Sequence, residues 1–391
     1  TQLNTRSALV AVEPGAVACL FLKEYVMKVL FLITRGDEIG GAQTHVRDVM
    51  LGLRDKYNIE CILATGSVGK FTDEMQQNGI KIFHIKSMKR EICLNDFNAF
   101  LELRKLVKKI KPDIISCHSS KAGVLGRLAT IGLSIKKVFT AHGWAFTEGI
   151  PERKAKFYKN IELILSYLTD AIINVSQYDR QLALSNNIKS KHYVIHNCIP
   201  DNIQIKREVF RDKNEIPIRF VMVARFCEQK DHETLIKAFS NISPNKWHLS
   251  LLGGGDSTEI EKLVSKLNLD SNIDFIGEVS NVQDYLNKAN VFMLISNYEG
   301  FPISIIEAMK TGLPVIASDV GGVCEAVIDE QNGYLIPRKD IAALQTRLKN
   351  LIENPDLLIK FGQESREMYE RNFTLNNMVD SYHQVFAEVN K

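Results

Sequence analysis

The sequence predicts an α/β protein with two Rossmann-like domains that face each other across a cleft. Its 391 residues exceed one ordinary domain and suit two of average size. Short apolar runs alternate with segments of helical spacing along most of the chain, a pattern typical of parallel sheets. A polar, charged stretch over residues 199–217 interrupts the alternation. We interpret this stretch as an interdomain linker.

The alternating segments form two series, which predict domains over residues 27–205 and 206–391. The first series has strand-like runs at Lys28–Ile33, Ile59–Ala64, Ile80–Ile85, Asp113–Ser116, Lys137–Thr140, Ala171–Val175 and Tyr193–Ile195. The second has runs at Ile218–Ala224, His248–Leu252, Ile273–Ile276, Val291–Ile295 and Pro314–Ala317, followed by three helical segments from Ile341 onward. The final helix is a candidate to pack back on the first domain. Residues 1–26 are interpreted as an N-terminal extension without an assigned role.

Composition excludes several classes of protein. Hydrophobic residues make up 45% of the chain and charged residues 24%, which is typical of a globular protein. A formal net charge of +3 gives no reason to expect nucleic-acid binding. The seven cysteines are scattered without a CxxC pair. Such thiols suit a reducing compartment, so we expect a cytoplasmic protein.

The densest cluster of candidate site residues is NYEGFPISIIE, residues 297–307, which follows the apolar run VFMLI. A helix that begins near Pro302 would direct the N–H groups of Ile303 and Ser304 at the strand ends, where an anion can bind. Glu299 lies in the loop and Glu307 on the helix. A carboxylate there can accept two hydroxyl hydrogen bonds, as ribose would offer. The alternative is that both glutamates are solvated surface residues.

A second cluster, VARFCEQKDHETLIKAF, places Arg225 at a strand end and Lys230 just before a helix with Asp231 as its predicted cap. Two cations at such a junction would clamp a diphosphate, although ordinary surface charge is the alternative. Glycine-rich turns that follow strands, which include Gly41 and Gly254, would let the backbone approach a ligand closely.

His142, in TAHGW, follows a strand-like run and therefore lies in the predicted cleft. A lone histidine is alternatively a structural residue. The other histidines lack the spacing of a metal site, and there is no DxD motif. We therefore expect neither a metal nor a cofactor.

The sequence resembles the retaining GT-B glycosyltransferases of the group 1 and family 4 type, which build bacterial polysaccharides and lipid-linked sugars. The matching stretches are GGAQTHV, TAHGW, VARFCEQKDHETLIKAF, LLGGGD, DFIGEV, YEGFPISIIEAMKTGLPVIASDVGG and NGYLI. Glu299 and Glu307 match the paired glutamates of that family. The resemblance implies these roles: Arg225 and Lys230 hold the donor diphosphate, Glu307 holds the ribose, Glu299 and His142 contact the transferred sugar, Gly41 closes over the phosphate, and the main chain at Ile276 meets the base.

The resemblance also implies that the domain over residues 27–205 binds the acceptor and that the domain over residues 206–391 binds the nucleotide-sugar donor. It implies a reaction as well. A hexose or N-acetylhexosamine would move from a nucleotide sugar, with UDP the commonest carrier, to a glycan or lipid-linked acceptor in lipopolysaccharide or capsule synthesis. The transfer would retain the anomeric configuration and need no metal. Two alternatives stay open. A non-hydrolysing sugar-nucleotide epimerase shares this fold and would use carboxylates as acid and base. A catalytically inactive nucleotide-sugar-binding subunit would bind the donor without turnover.

Basic side chains cluster in the first half of the chain. They are Lys86, Lys89, Arg90, Arg104, Lys105, Lys108, Lys109, Lys111, Arg153, Lys154, Lys156 and Lys159. Because a lipid-linked acceptor is implied by the resemblance, we expect peripheral contact with an anionic membrane through charge. The apolar stripe Phe157, Ile161, Ile164, Leu165 and Leu168 is expected to face the core. Solvated helix faces are the alternative reading of these charges.

Overall fold

The computed structural model describes residues 25–89, 91, 95–201 and 217–391. Nearly all of the predicted N-terminal extension, most of the predicted linker with the boundary between residues 205 and 206, and Arg90 lie outside the described residues.

The first series folds into a sheet of seven parallel strands in the order β3-β2-β1-β4-β5-β6-β7. Its strands are β1 Lys28–Ile33, β2 Glu60–Thr65, β3 Lys81–His84, β4 Ile114–Cys117, β5 Lys136–Ala141, β6 Ala171–Asn174 and β7 Lys191–Val194. Its helices are α1 Gly41–Tyr57, α2 Lys70–Gln77, α3 Asn95–Ile110, α4 Ser120–Ala129, α5 Glu152–Ser166 and α6 Gln177–Ser185.

The second series forms a sheet of six parallel strands in the order β10-β9-β8-β11-β12-β13. Its strands are β8 Ile218–Val223, β9 Trp247–Leu252, β10 Ile273–Gly277, β11 Val291–Leu294, β12 Val315–Ser318 and β13 Gly333–Ile336. Its helices are α7 His232–Phe239, α8 Thr258–Lys266, α9 Val282–Lys288, α10 Ile303–Lys310, α11 Ile341–Glu353, α12 Asp356–Asn372 and α13 Leu375–Val389. The predicted fold class is confirmed.

Each predicted strand is present, with ends within two residues of those expected. Continuous apolar runs form these strands because both faces of each sheet are covered by helices. In β1, Val29 and Phe31 belong to the core shared with α1, whereas Leu30 and Leu32 belong to the core under α3 and α4. The pattern does not predict β13, whose run Tyr334–Ile336 has only three apolar residues.

The last helix, α13, packs on α1 of the first domain. A Cβ atom added to Gly52 would lie 2.3 Å from Cγ2 of Val379, so only glycine permits this close approach. The Lys56 ammonium lies 2.5 Å from the Asp380 carboxylate at the same interface. The C-terminal helix α13 therefore packs against the first domain. Within the described residues, no helix combines the length and apolar character needed to cross a bilayer.

Candidate active site

The N-termini of α1 and α10 meet in the cleft between the two sheets. A Cβ atom on Gly41 would lie 3.8 Å from Cδ1 of Ile303. The α10 helix follows an extended Pro302, which has φ −74° and ψ 123° and gives no side-chain cap. Its first N–H groups, on Ile303 and Ser304, have no acceptor among the described residues. Two positive helix ends that share one space suit an anionic ligand.

Lys230 and Glu299 form a buried ion pair on the second-domain side of the cleft. The Glu299 residue is only 7% exposed. Its carboxylate also accepts hydrogen bonds from Ser296 Oγ at 2.6 Å and from Gln229 Nε2 at 3.2 Å. The structure therefore brings a predicted diphosphate ligand and a predicted sugar contact together.

The backbone around Glu299 is packed against both domains. Gly321 has a φ of 58°, and a Cβ atom there would lie 1.9 Å from the Glu299 carbonyl oxygen. A Cβ atom on Gly300 would lie 2.8 Å from the carbonyl oxygen of His142 in the first domain. Since neither position tolerates a side chain without a shift of these main-chain atoms, the two glycines allow the backbone around Glu299 to pack this closely.

Arg225 and Lys230 lie near the two ends of the loop between β8 and α7. Asp231 caps α7 as the sequence predicts, because its carboxylate accepts a hydrogen bond from Thr234 N at 3.0 Å. Arg225 is exposed. The N–H of the next residue donates to the Gly254 carbonyl at 2.8 Å, which ties the glycine-rich turn to this loop.

Ile276 lies half-buried at the end of β10, where the pairing with β9 is irregular. Because β8, β9 and β10 are neighbours, Arg225, Gly254 and Ile276 follow one edge of the sheet. These three predicted donor contacts therefore lie side by side.

Glu307 is half-buried on α10, one turn after Ile303. Burial raises the pKa of its carboxyl group, and the nearby Lys310 and Arg47 cations oppose that rise. Arg47 belongs to α1, so Glu307 faces the first domain across the cleft. Among the described residues, none donates a hydrogen bond to this carboxylate. It is therefore available as a hydrogen-bond acceptor for a ligand.

The structure surrounds His142 with two histidines that the sequence reasoning missed. His118 Nδ1 lies 3.2 Å from His142 Nε2, and the rings of His45 and His142 are 4.7 Å apart. Burial lowers the pKa of all three imidazoles, that of His45 to about 4. The cluster is therefore uncharged near neutral pH.

A hydrogen-bond network fixes the tautomer of His45. The Asn197 side chain donates to the Phe301 carbonyl at 2.5 Å, so its oxygen accepts from His45 Nδ1 at 2.7 Å. His45 Nε2 then accepts from the Tyr382 hydroxyl at 2.7 Å, and Tyr382 accepts from Thr140 at 3.0 Å. Candidate ligand atoms of the three histidines lie within 4.8 Å of one another, a proximity that their spacing in the sequence does not indicate. A metal ion would nonetheless have to displace Asn197 or Tyr382 from His45.

The sequence does carry a signal for His118. It follows β4 directly, just as His142 follows β5. Since β4 and β5 are neighbouring strands, residues at their carboxyl ends must be close in space.

The expectation that the apolar stripe of α5 faces the core is wrong for two of its five residues. Phe157 is 53% exposed and Ile164 is 67% exposed, whereas Leu165 is buried. The inner face of the helix carries Glu162 instead, which pairs at 2.8 Å with the fully buried Arg127. With this ion pair on the inner face, Phe157 and Ile164 point outward, while Ile161 and Leu168 are half-buried.

Comparisons with known proteins agree with this fold. The family described as Glycosyltransferase Family 4 matches residues 39–202, and that described as Glycosyl transferases group 1 matches residues 204–368. The O-antigen biosynthesis glycosyltransferase WbnH of Escherichia coli is 32% identical over 308 residues, which cover 78% of this chain and 85% of that protein. The UDP-Gal:alpha-D-GlcNAc-diphosphoundecaprenol alpha-1,3-galactosyltransferase of Escherichia coli is 27% identical over 342 residues, 82% of this chain and 87% of that protein. The crystal structure of Anabaena Alr3699/HepE in complex with UDP and glucose superposes with a TM-score of 0.80 at 19% identity, covering 92% of this chain and 99% of that one.

Proposed function

The chain belongs to the group 1 glycosyltransferases, and we propose that it transfers a hexose or N-acetylhexosamine from a UDP-linked donor to a glycan or lipid-linked acceptor in surface polysaccharide synthesis. The observation that carries this proposal is the convergence of two helix N-termini beside Lys230 and Glu299. The UDP bound by HepE and the acceptor named for the galactosyltransferase support the choice of substrates. The epimerase and the inactive subunit are not favoured, because the matching families are transferases.

In the donor complex, the diphosphate lies between the start of α1 at Gly41 and the start of α10. Arg225 and Lys230 neutralise its charge. Glu307 accepts hydrogen bonds from the ribose hydroxyls, and the main chain at Ile276 meets the base.

Transfer proceeds with retention and without a divalent cation. The bond from the anomeric carbon to the diphosphate oxygen breaks, and a bond to the acceptor oxygen forms on the same face. The acceptor proton passes to the departing phosphate oxygen. Arg225, Lys230 and the two helix ends stabilise the negative charge that develops. Glu299 and neutral His142 hydrogen-bond the transferred sugar and align it.

A thermal-shift panel tests the donor assignment. Wild-type protein is heated with UDP, GDP, ADP and the corresponding nucleotide sugars. UDP and at least one UDP-sugar should raise the midpoint temperature, because they bind only the folded chain. A panel in which no nucleotide shifts the midpoint contradicts the proposal. For an active donor, NMR of the first-formed product should show the anomeric configuration of the donor.

We further propose that α5 docks on an anionic membrane, at the inner leaflet where a lipid-linked acceptor is presented. Arg153, Lys154 and Lys156 are exposed on this helix beside Phe157 and Ile164. The basic groups attract anionic lipid, and the exposed apolar side chains gain by entering the interface. The sequence predicts adhesion through charge alone, whereas this proposal adds insertion of the two exposed apolar side chains.

Vesicle sedimentation separates these two contributions. Wild-type protein should pellet with phosphatidylcholine vesicles only when phosphatidylglycerol is included, and less at high salt. Phe157→Ser with Ile164→Ser should lower the binding that remains at high salt. Ile359→Ser changes an exposed apolar residue of the second domain and is the matched control. Wild-type protein that stays in the supernatant with anionic vesicles at low salt contradicts membrane docking.

A further inference from the structure

Three histidines of the first domain lie close together where its strands end. His45 is on α1, His118 follows β4 directly, and His142 follows β5. One candidate ligand nitrogen from each histidine lies within 4.8 Å of the other two. Imidazole nitrogens that converge from three separate elements are a ligand set typical of zinc.

Two of these rings are already separated as two ligands of one metal ion would be. His118 Nδ1 lies 3.2 Å from His142 Nε2. Two nitrogens that each lie about 2.0–2.1 Å from a tetrahedral zinc ion are about 3.3–3.4 Å apart. The two nitrogens share a hydrogen bond, and its proton must move to the other nitrogen of its ring when a metal ion takes its place. For His118 that nitrogen is Nε2, which lies 2.8 Å from Ser116 Oγ.

Polar side chains hold the ring nitrogens that would point away from the metal. Ser116 Oγ accepts from His118 Nε2 in the tautomer that coordination requires. The Asn197 side-chain oxygen accepts from His45 Nδ1 at 2.7 Å, which leaves His45 Nε2 as the ligand atom. Histidine ligands of metals usually donate their other ring N–H to an acceptor of this kind, which fixes the tautomer and the ring orientation. Folding therefore supplies the outer partners for two of the three ligands.

The third requirement is that His45 Nε2 becomes free. It accepts a hydrogen bond from the Tyr382 hydroxyl at 2.7 Å. The Thr140 hydroxyl lies 3.0 Å from that of Tyr382, so Tyr382 can donate to Thr140 instead. This exchange turns one hydroxyl group and leaves Asn197 in place.

A cavity of about 220 Å³ gives a metal ion access to the cluster. His118 and His142 line this cavity, and His142 is half-buried there. The cavity leaves room for a water molecule as the fourth ligand of a tetrahedral ion. Three imidazoles favour zinc over magnesium and manganese, which prefer oxygen ligands.

We propose that His45, His118 and His142 form a zinc site whose occupation inhibits transfer. The inference rests on the proposed transferase function, in which His142 hydrogen-bonds the transferred sugar. A zinc ion on His142 Nε2 removes that nitrogen from the sugar and takes up space beside it. The diphosphate is assigned to the ends of α1 and α10, so zinc should stop transfer without weakening the binding of UDP.

The direct test measures metal binding by the full chain after EDTA has been used and removed. Wild-type protein should take zinc from an indicator dye, and Co²⁺ should give the visible absorption of a tetrahedral site. Ser116→Ala, which removes the partner of His118 Nε2, should weaken zinc binding roughly 10–100-fold. His118→Leu should abolish it. His248→Gln is the matched control, because His248 pairs with Asp274 on the surface of the second domain and would hold only an adventitious ion.

Transfer from an active donor supplies the second readout. Zinc should inhibit wild-type protein and His248→Gln equally, and Ser116→Ala should need roughly 10–100-fold more zinc for the same inhibition. Equal zinc affinity in wild type, Ser116→Ala and His118→Leu overturns the inference, as does unimpaired transfer by wild type saturated with zinc. Zinc binding is measured without nucleotide, so a wild-type chain that fails to bind UDP would instead overturn the proposed function.

Discussion

Glu325 joins the two domains, and we expect Glu325→Gln to weaken the contact between them. Its carboxylate, on the second domain, accepts hydrogen bonds from the N–H groups of Gln177 and Tyr178 at 2.8 and 2.9 Å. It also accepts from His196 Nε2 at 2.8 Å. Gln177 and Tyr178 begin α6 of the first domain, so an anion from one domain occupies a helix N-terminus of the other.

The size of the effect follows from these contacts. The amide removes a negative charge from a helix N-terminus, about 0.3–1 kcal/mol, and leaves one half-buried donor without an acceptor, about 1 kcal/mol. The sum of about 1.3–2 kcal/mol corresponds to a shift of roughly tenfold to thirtyfold toward the open form. UDP affinity should fall by up to that factor, because the proposed site needs both domains.

Titration and small-angle X-ray scattering check this expectation. Glu325→Gln should have a larger radius of gyration than wild type, whereas Glu330→Gln, at an exposed pair within the second domain, should not.

Burial opposes the charge on Glu325, but its three hydrogen bonds outweigh burial and lower its pKa. The contact is therefore intact at neutral pH and is lost only as the pH falls below the ordinary glutamate pKa of about 4.3. An unchanged radius of gyration together with unchanged UDP affinity at neutral pH refutes the reasoning.

Four other predictions follow from the site. Arg225→Ala and Lys230→Ala should each lower kcat/KM roughly tenfold to a hundredfold while the chain stays folded, since each charge-assisted bond contributes about 1.5–3 kcal/mol. Lys237→Ala, which removes one partner of an exposed ion pair, is the control. Near-normal turnover by both variants would contradict the assignment of Arg225 and Lys230 to the donor diphosphate. Glu307→Gln should weaken UDP binding in calorimetry, and normal UDP binding with failed turnover would mean a different role. Activity should persist in excess EDTA; a full loss that magnesium or manganese restores contradicts the cationic mechanism. The buried histidines, with the pKa of His45 at about 4, take up protons more readily when unfolded, so the melting temperature should fall as the pH is lowered from 6.5 toward 4. A melting temperature that does not change over this range would place these histidines in contact with solvent.

The fold was predictable because parallel strands buried on both faces leave continuous apolar runs in the sequence. The position of Arg225, Gly254 and Glu299 at one edge of the second sheet was also predictable, since each follows a strand. The ion pair of Lys230 with Glu299 was not, because the two belong to loops far apart in sequence whose separation depends on how β8 and β11 pair.

Two errors have a common cause. The sequence predicts His142 at a strand end but does not by itself place His118 beside it, because their proximity depends on the pairing of β4 with β5. Helical spacing alone assigns apolar residues to the core, so it does not predict the observed rotation of α5. Its buried face is set by the partner that Glu162 finds in Arg127, which lies on another helix. Long-range polar pairing of this kind has no local sequence pattern.

The Lys230–Glu299 pair also explains how the proposed donor site stays organised before the donor arrives. Glu299 is held by Ser296 and Gln229 as well as by Lys230. An ammonium group has three N–H donors, so Lys230 can turn toward a diphosphate and still contact the carboxylate. If it leaves entirely, Glu299 keeps two donors and gains those of the sugar hydroxyls. The carboxylate that we propose orients the sugar is therefore set in place by folding, and little reorganisation would remain when the donor binds.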